Sequence, residues 1–210
     1  IVCAVTVIGC ASSDQTEGYR GQRTADGTPN FSGIWQVQNT ANWDLQAHAA
    51  KQGPVIALGA AFSVPGGLGV VEGDEIPYTA EALAKKRENA ENWLERDPEI
   101  KCFLPGIPRA TYLPYPFQIT QTPDAISIAY EFANATRTIH MNSDLESPMD
   151  TWMGWSRGRW EGDVLVVDVN SFNDLTWFDR AGNYHSNQLT VTERYSAIDE
   201  NTLQYEATIT

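Results

Sequence analysis

Apolar and polar positions alternate through most of the second half of this chain. Ile126, Ile128, Tyr130 and Phe132 alternate with Ser127, Ala129 and Glu131, the period-2 pattern of a strand with one buried face. The same reading predicts strands at 117–122, 126–132, 136–141, 156–160, 164–170, 189–196 and 202–209. Short turn segments separate several of them: Pro123-Asp124-Ala125, Ala133-Asn134, Glu161-Gly162-Asp163 and 198–201. Successive strands joined this way are expected to be antiparallel neighbours. An earlier candidate covers 31–38, with Phe31, Gly33, Trp35 and Val37 on one face and Ile34 on the other.

Only 79–96 reads as a helix. Thr79 is placed to cap it, Glu81 suits its positive N-terminal end, and Asp97-Pro98 stops it. Its apolar stripe of Leu83, Ala90, Trp93 and Leu94 is thin, so one side packs and the rest is solvated. Two connections are unusual. Residues 52–77 form a long Gly-rich, apolar loop, expected to be buried or functional. It lacks the Lys-Ser/Thr ending of a phosphate-binding loop. Residues 102–116 carry Pro105, Pro108, Pro114 and Pro116 and are expected to be extended and stiff, with Arg109 and the aromatics lining a surface. The fold class that follows is mainly β. It is an antiparallel meander closing into a barrel or a strongly curved sheet, with one helix and a Gly-rich loop.

Charge narrows the partners. The net charge is −13, from 27 acidic and 14 basic residues. Nucleic acid and anionic lipid want a basic face, so neither is expected. No segment approaches the roughly 20 apolar residues of a membrane span. Seven Trp and eight Tyr argue for a folded chain.

The three cysteines change the picture more. Residues 1–9 are apolar, and the chain then turns polar at Ser12-Ser13-Asp14. This reads as the remnant of an export signal. Val7-Ile8-Gly9-Cys10 resembles the lipobox of bacterial lipoproteins, which implies lipidation at Cys10 and residence in the cell envelope. Residues 10–30 then serve as lipid anchor and tether, and 31–210 as a single β domain. Cys3 would leave with the signal, so Cys102 alone would remain, and no intramolecular disulfide is expected. The chain lacks the charged start of a signal, and its last residues stop within a strand pattern. Truncation at both ends is expected.

The run Trp152-Met-Gly-Trp-Ser-Arg-Gly-Arg-Trp-Glu-Gly-Asp-Val-Leu-Val-Val-Asp168 resembles a widespread family of uncharacterised bacterial exported proteins. Phe172-Asn-Asp, Tyr184-His-Ser and Val191-Thr-Glu-Arg-Tyr195 extend the resemblance, as does the upstream Asp97-Pro98, Cys102 and Pro108-Arg109 block. It covers roughly 31–210 and implies no particular activity. Gly33-Ile34-Trp35 is similar, more weakly, to the Gly-x-Trp of the first lipocalin strand, a resemblance that implies a lipocalin-like barrel.

Candidate chemistry is sparse. Gly154-Trp155-Ser156-Arg157-Gly158 fits the pattern of a nucleophile elbow, but an elbow needs a helix after the serine. A hairpin and strand are predicted instead. His185 with Asp179 makes a second candidate acid/base pair, and His140 completes a candidate metal set that lacks ligand spacing. Four tryptophans, Trp152, Trp155, Trp160 and Trp177, are either core or a pocket wall. The expectation is a non-catalytic lipoprotein binding a small apolar or amphipathic ligand, with no cofactor and no metal. Trp152, Trp177, Tyr184 and His185 would line the pocket, and Arg109 and Arg180 would anchor a polar group. The alternatives are a hydrolase using Ser156 or His185/Asp179, and a structural interaction module.

Overall fold

The computed structural model describes residues 21–210, so Cys3, Cys10 and the predicted signal remnant lie outside the described residues. Eight strands form one sheet in sequential order. They are β1 (Gly33–Trp35), β2 (Phe117–Gln121), β3 (Ala125–Tyr130), β4 (Thr136–Met141), β5 (Trp155–Glu161), β6 (Val164–Asn170), β7 (Val191–Asp199) and β8 (Thr202–Ile209). The sheet curls through 253°, a strongly curved half-barrel that leaves β1 and β8 unjoined.

The alternation read from the sequence sets the faces. Ile126, Ile128 and Tyr130 on β3, and Arg137, Ile139 and Met141 on β4, point into the concave side and are buried. Phe31 and Trp35 also turn inward, while Ile34 is 77% exposed on the outside. On β6 both faces are covered at Val166 and Val167. Val166 faces outward between Arg159 and Arg194 in register, and the aliphatic stems of those arginines shield it.

One pairing departs from the expected meander. β4 and β5 run parallel, because residues 142–154 carry the chain back to the starting end before β5 begins. A connection of that length is free to cross over, whereas the two-residue turns of β5–β6 and β7–β8 are not.

The helix forms, but in two pieces. α1 (Ala80–Glu91) starts at Thr79, whose hydroxyl accepts from the Ala82 amide, and α2 (Trp93–Arg96) follows after a break at Asn92. The proline-rich connector is not extended throughout. Residues Arg109–Tyr112 make one helical turn, α3, and all four are buried. Each of its prolines falls outside that turn, so none breaks its hydrogen bonds. The Gly-rich loop is largely exposed rather than covered: Ile56 is 73% and Leu68 96% exposed. Part of the predicted tether is docked. Arg23 pairs with Asp163 at the β5–β6 turn at 2.9 Å, and Gln121 donates to the Pro29 carbonyl at 2.8 Å. Among the described residues no helix is long and apolar enough to cross a membrane.

Candidate functional site

The concave side is filled at its centre. Arg137 reaches from β4 to Glu193 on β7, across the two strands between them. Both side chains are almost completely buried. The Glu193 carboxylate accepts from both terminal nitrogens of Arg137, from the Tyr195 hydroxyl at 3.1 Å and from the Tyr205 hydroxyl at 2.8 Å. The third arginine donor, Nε, is satisfied by the Ser156 hydroxyl oxygen at 2.8 Å. Ser156 is therefore a buried partner of an ion pair near the start of β5, with the rest of that strand and the β5–β6 hairpin after it. The strand–helix elbow a serine nucleophile needs is not formed.

Space remains beside this plug, between β8 and the loops that face it. A cleft of about 860 Å³ is bounded there by Tyr78, Tyr112, Phe178, Tyr184, His185, Leu189 and the β8 edge from Tyr205 to Thr210. Leu45, Val71 and Ile76 add aliphatic surface. Its charged lining is Glu72, Glu75 and Glu206, with no Lys or Arg among the described lining residues.

The loop carrying His185 is built with care. Asp179 is fully buried and organises it, accepting from the Leu45 amide at 2.8 Å, the Ala181 amide at 3.0 Å and the Asn183 side-chain amide at 2.6 Å. Burial pushes its carboxyl up to about 6, against the pull of these donors. Gly182 sits at φ +84°, and a β-carbon there would come within 2.5 Å of the Lys86 carbonyl. Glycine thus lets the loop lie against α1. His185 Nε2 meets the Thr176 hydroxyl at 2.6 Å and Nδ1 faces the Ser186 carbonyl at 2.8 Å. Burial lowers its pKa, which favours the neutral ring. Gly106 makes room for Thr176, since a β-carbon there would lie 2.6 Å from that hydroxyl oxygen. Tyr78 stacks on Tyr184 and donates to Asn183 at 3.0 Å, and burial raises its phenol to about 12. Tyr112 donates to the Phe178 carbonyl at 2.7 Å.

Of the residues singled out from the sequence, Tyr184 and His185 line this cleft and the others do not. Arg109 is buried in a different place. Its guanidinium is held bidentately by Asp97 at 2.7 and 2.8 Å and by Glu99 at 2.6 Å. Arg180 gives Glu99 two more bonds, at 2.9 and 2.5 Å, and stacks over Trp43 4.2 Å from the ring centroid. Both arginines are already neutralised, so neither is free to anchor a ligand. The tryptophans scatter. Trp152 packs on Phe103, Trp160 on Phe31, and Trp155 on His140 with ring centroids 4.4 Å apart. Trp177 bridges to Tyr184 through the backbone. Among the described residues no hydrogen bond joins His185 to Asp179. Nor does any group of three His, Cys, Asp or Glu side chains there have a metal-holding arrangement. Cys102 is a free, exposed thiol.

Sequence reasoning missed Tyr78, Tyr112, Tyr205 and the three glutamates. Tyr205 was signalled by its place in the alternation Leu203, Tyr205, Ala207, but alternation does not say which face of the last strand is concave. Family models, curated proteins and solved structures contain no match to this chain.

Proposed function

We propose that this protein is a non-catalytic binding module of the bacterial cell envelope whose cleft takes a small apolar or amphipathic ligand. The observation that carries the reading is the cleft itself. Its volume of about 860 Å³, its aromatic and aliphatic walls and its few oriented polar groups fit a ligand site. The hydrolase alternative draws no support from the surroundings of Ser156, which are an ion pair and a hairpin. Envelope residence and lipidation of Cys10 rest on Val7-Ile8-Gly9-Cys10 and on the resemblance to exported proteins.

The test is binding of the apolar dye N-phenylnaphthylamine to a soluble form starting at Ser12. Fluorescence enhancement is expected in the parent protein and not in Val71→Trp, which fills the cleft from its loop wall. No enhancement, or an equal one in both proteins, sinks the reading. Labelling with radioactive palmitate that Cys10→Ser abolishes would support the anchor.

A second reading, an interaction module, is favoured by residues 52–71. They contain no Asp, Glu, Lys or Arg, and Ile56, Leu58, Leu68 and Val70 are exposed. It expects self-association in sedimentation that Leu58→Asp with Leu68→Asp abolishes.

A further inference from the structure

We propose that Asp179, Asn183 and Tyr78 form a proton relay: a proton taken up by the buried Asp179 carboxylate reverses the Asn183 side-chain amide and turns the Tyr78 hydroxyl round on the cleft wall. The relay needs no ligand, so it stands or falls apart from the binding reading.

Both carboxylate oxygens of Asp179 are engaged. Oδ1 accepts from the backbone amides of Ala181 at 3.0 Å and Asn183 at 3.2 Å. Oδ2 accepts from the backbone amide of Leu45 at 2.8 Å and from the side-chain Nδ2 of Asn183 at 2.6 Å. All of these partners are donors, so this is the arrangement of the ionised group. A carboxyl proton added here would point at an N–H unless one donor became an acceptor. The backbone amides are held by the chain and cannot change. The Asn183 side chain can, because rotating its amide end for end exchanges the NH2 for the oxygen. The proton is therefore placed on Oδ2, facing Asn183 Oδ1. The 2.6 Å separation there is short for N–H···O and ordinary for O–H···O. After the reversal Oδ2 still accepts from Leu45, and Oδ1 from Ala181 and Asn183, so no buried backbone donor is orphaned.

The far end of Asn183 passes the change on. In the ionised form its Oδ1 accepts from the Tyr78 hydroxyl at 3.0 Å. Once reversed, it presents Nδ2 to Tyr78, and a phenol oxygen accepts as well as donates. The Tyr78 proton must then turn away from Asn183. Tyr78 borders the cleft and stacks on Tyr184, whereas Asp179 has no exposed surface. A buried titration is thereby reported at the cleft wall.

The surroundings favour proton uptake near neutral pH. From the segment before Leu45, Asp44 bears on Asp179 as a second anion. The phenols of Tyr78, ahead of α1, and Tyr112, on α3, also feel its charge, and burial keeps both neutral. Arg180, next in the chain, is paired with Glu99, and Arg109, behind Tyr112, with Asp97 and Glu99. On α1, Lys85 sits over the Tyr184 ring. Every nearby cation is thus engaged elsewhere, and burial carries the Asp179 carboxyl up to about 6.

The experiment follows the isotopically labelled protein by NMR from pH 4 to pH 8, without ligand. The Asp179 carboxyl carbon, the Asn183 side-chain amide and Tyr78 Cζ are expected to shift together, with one midpoint near 6. As pH falls, the Asn183 amide should lose the downfield shift of a proton facing a carboxylate. The Leu45 amide bonds to the same oxygen in both forms, so its hydrogen-exchange protection should hold within about twofold across the transition. In Asn183→Ala the Tyr78 signal should no longer follow Asp179. Loss of Leu45 protection on either side of the midpoint would show that the loop opens instead, and would overturn the proposal. So would a Tyr78 signal in the parent protein that ignores the Asp179 titration, a result that needs no variant to fold.

Discussion

Two buried arginines are neutralised in different ways. Arg137 faces one carboxylate, Glu193, and its surroundings are otherwise neutral: Ser156 and the phenols of Tyr195 and Tyr205. Arg109 belongs to a group with two cations and two anions, in which Asp97 and Glu99 share Arg109 and Arg180. The first pair joins strands far apart in sequence and spans the concave face. The second ties a local connector, residues 97–109, to the loop that carries Arg180. The first has no spare partner, and the second has one. Removing one member of a buried pair leaves an uncompensated charge, and the cost depends on what else can cover it.

That difference sets the order of expected effects. Glu193→Gln should cost the most, about 3–5 kcal/mol in urea unfolding, because Arg137 would stay buried without an anion. Replacing both partners by apolar residues, Arg137→Met with Glu193→Leu, should recover most of the loss. If the double variant is as unstable as the single one, the pair is held by the phenols and not by charge. Glu99→Gln should cost less, about 1–3 kcal/mol, since Asp97 still holds Arg109 and Arg180 keeps its stacking on Trp43. A larger loss here than at Glu193 would reverse the comparison.

Asp179 supplies the third case, a buried carboxylate bonded to N–H groups and to no cation. Its folded pKa, about 6, lies above the 3.8 usual for an aspartate. The folded state therefore holds the proton more tightly, and stability falls as pH rises from about 4 to about 6. The loss is on the order of 2–3 kcal/mol. His185 acts in the opposite sense, because its lowered pKa costs stability as pH falls below about 6.5. Melting curves across pH 4–7 should show the Asp179 slope reduced in Asp179→Asn. An unchanged profile would mean that its N–H donors fully offset burial. The smallest effect is expected on the outer face, where Glu161 bridges Arg159 and Arg194 in solvent. There Glu161→Gln should leave the urea midpoint unchanged within error, and a clear shift would show that the bridge holds the shield over Val166.

These clusters also mark how much was legible in the sequence. The strands and their two alternating sets of side chains were, because period-2 alternation depends only on neighbouring residues; which set of β8 is concave was not. The helix and its Thr79 cap were legible for the same reason. The parallel β4–β5 pairing was not, since the path of 142–154 depends on where the strands lie in space. Arg109 and Arg180 looked like ligand anchors because nothing local reveals that Glu99 meets both. Tyr184 and His185 were found from a loop rich in polar and aromatic residues. Their neighbours Tyr78, Tyr112 and Tyr205 come from three distant segments that only the curl of the sheet brings together.

The parallel crossing has a consequence for assembly. The β2–β3, β5–β6 and β7–β8 hairpins close over a few residues, at small entropic cost. β1 reaches β2 only after residues 36–116 have been looped out, and it offers three residues of pairing in return. Contacts so distant in sequence slow folding without adding much to the final stability. The half-barrel is thus a set of quickly formed local units whose joining, at β1 and at the β4–β5 seam, governs how long the concave side stays open to water during folding.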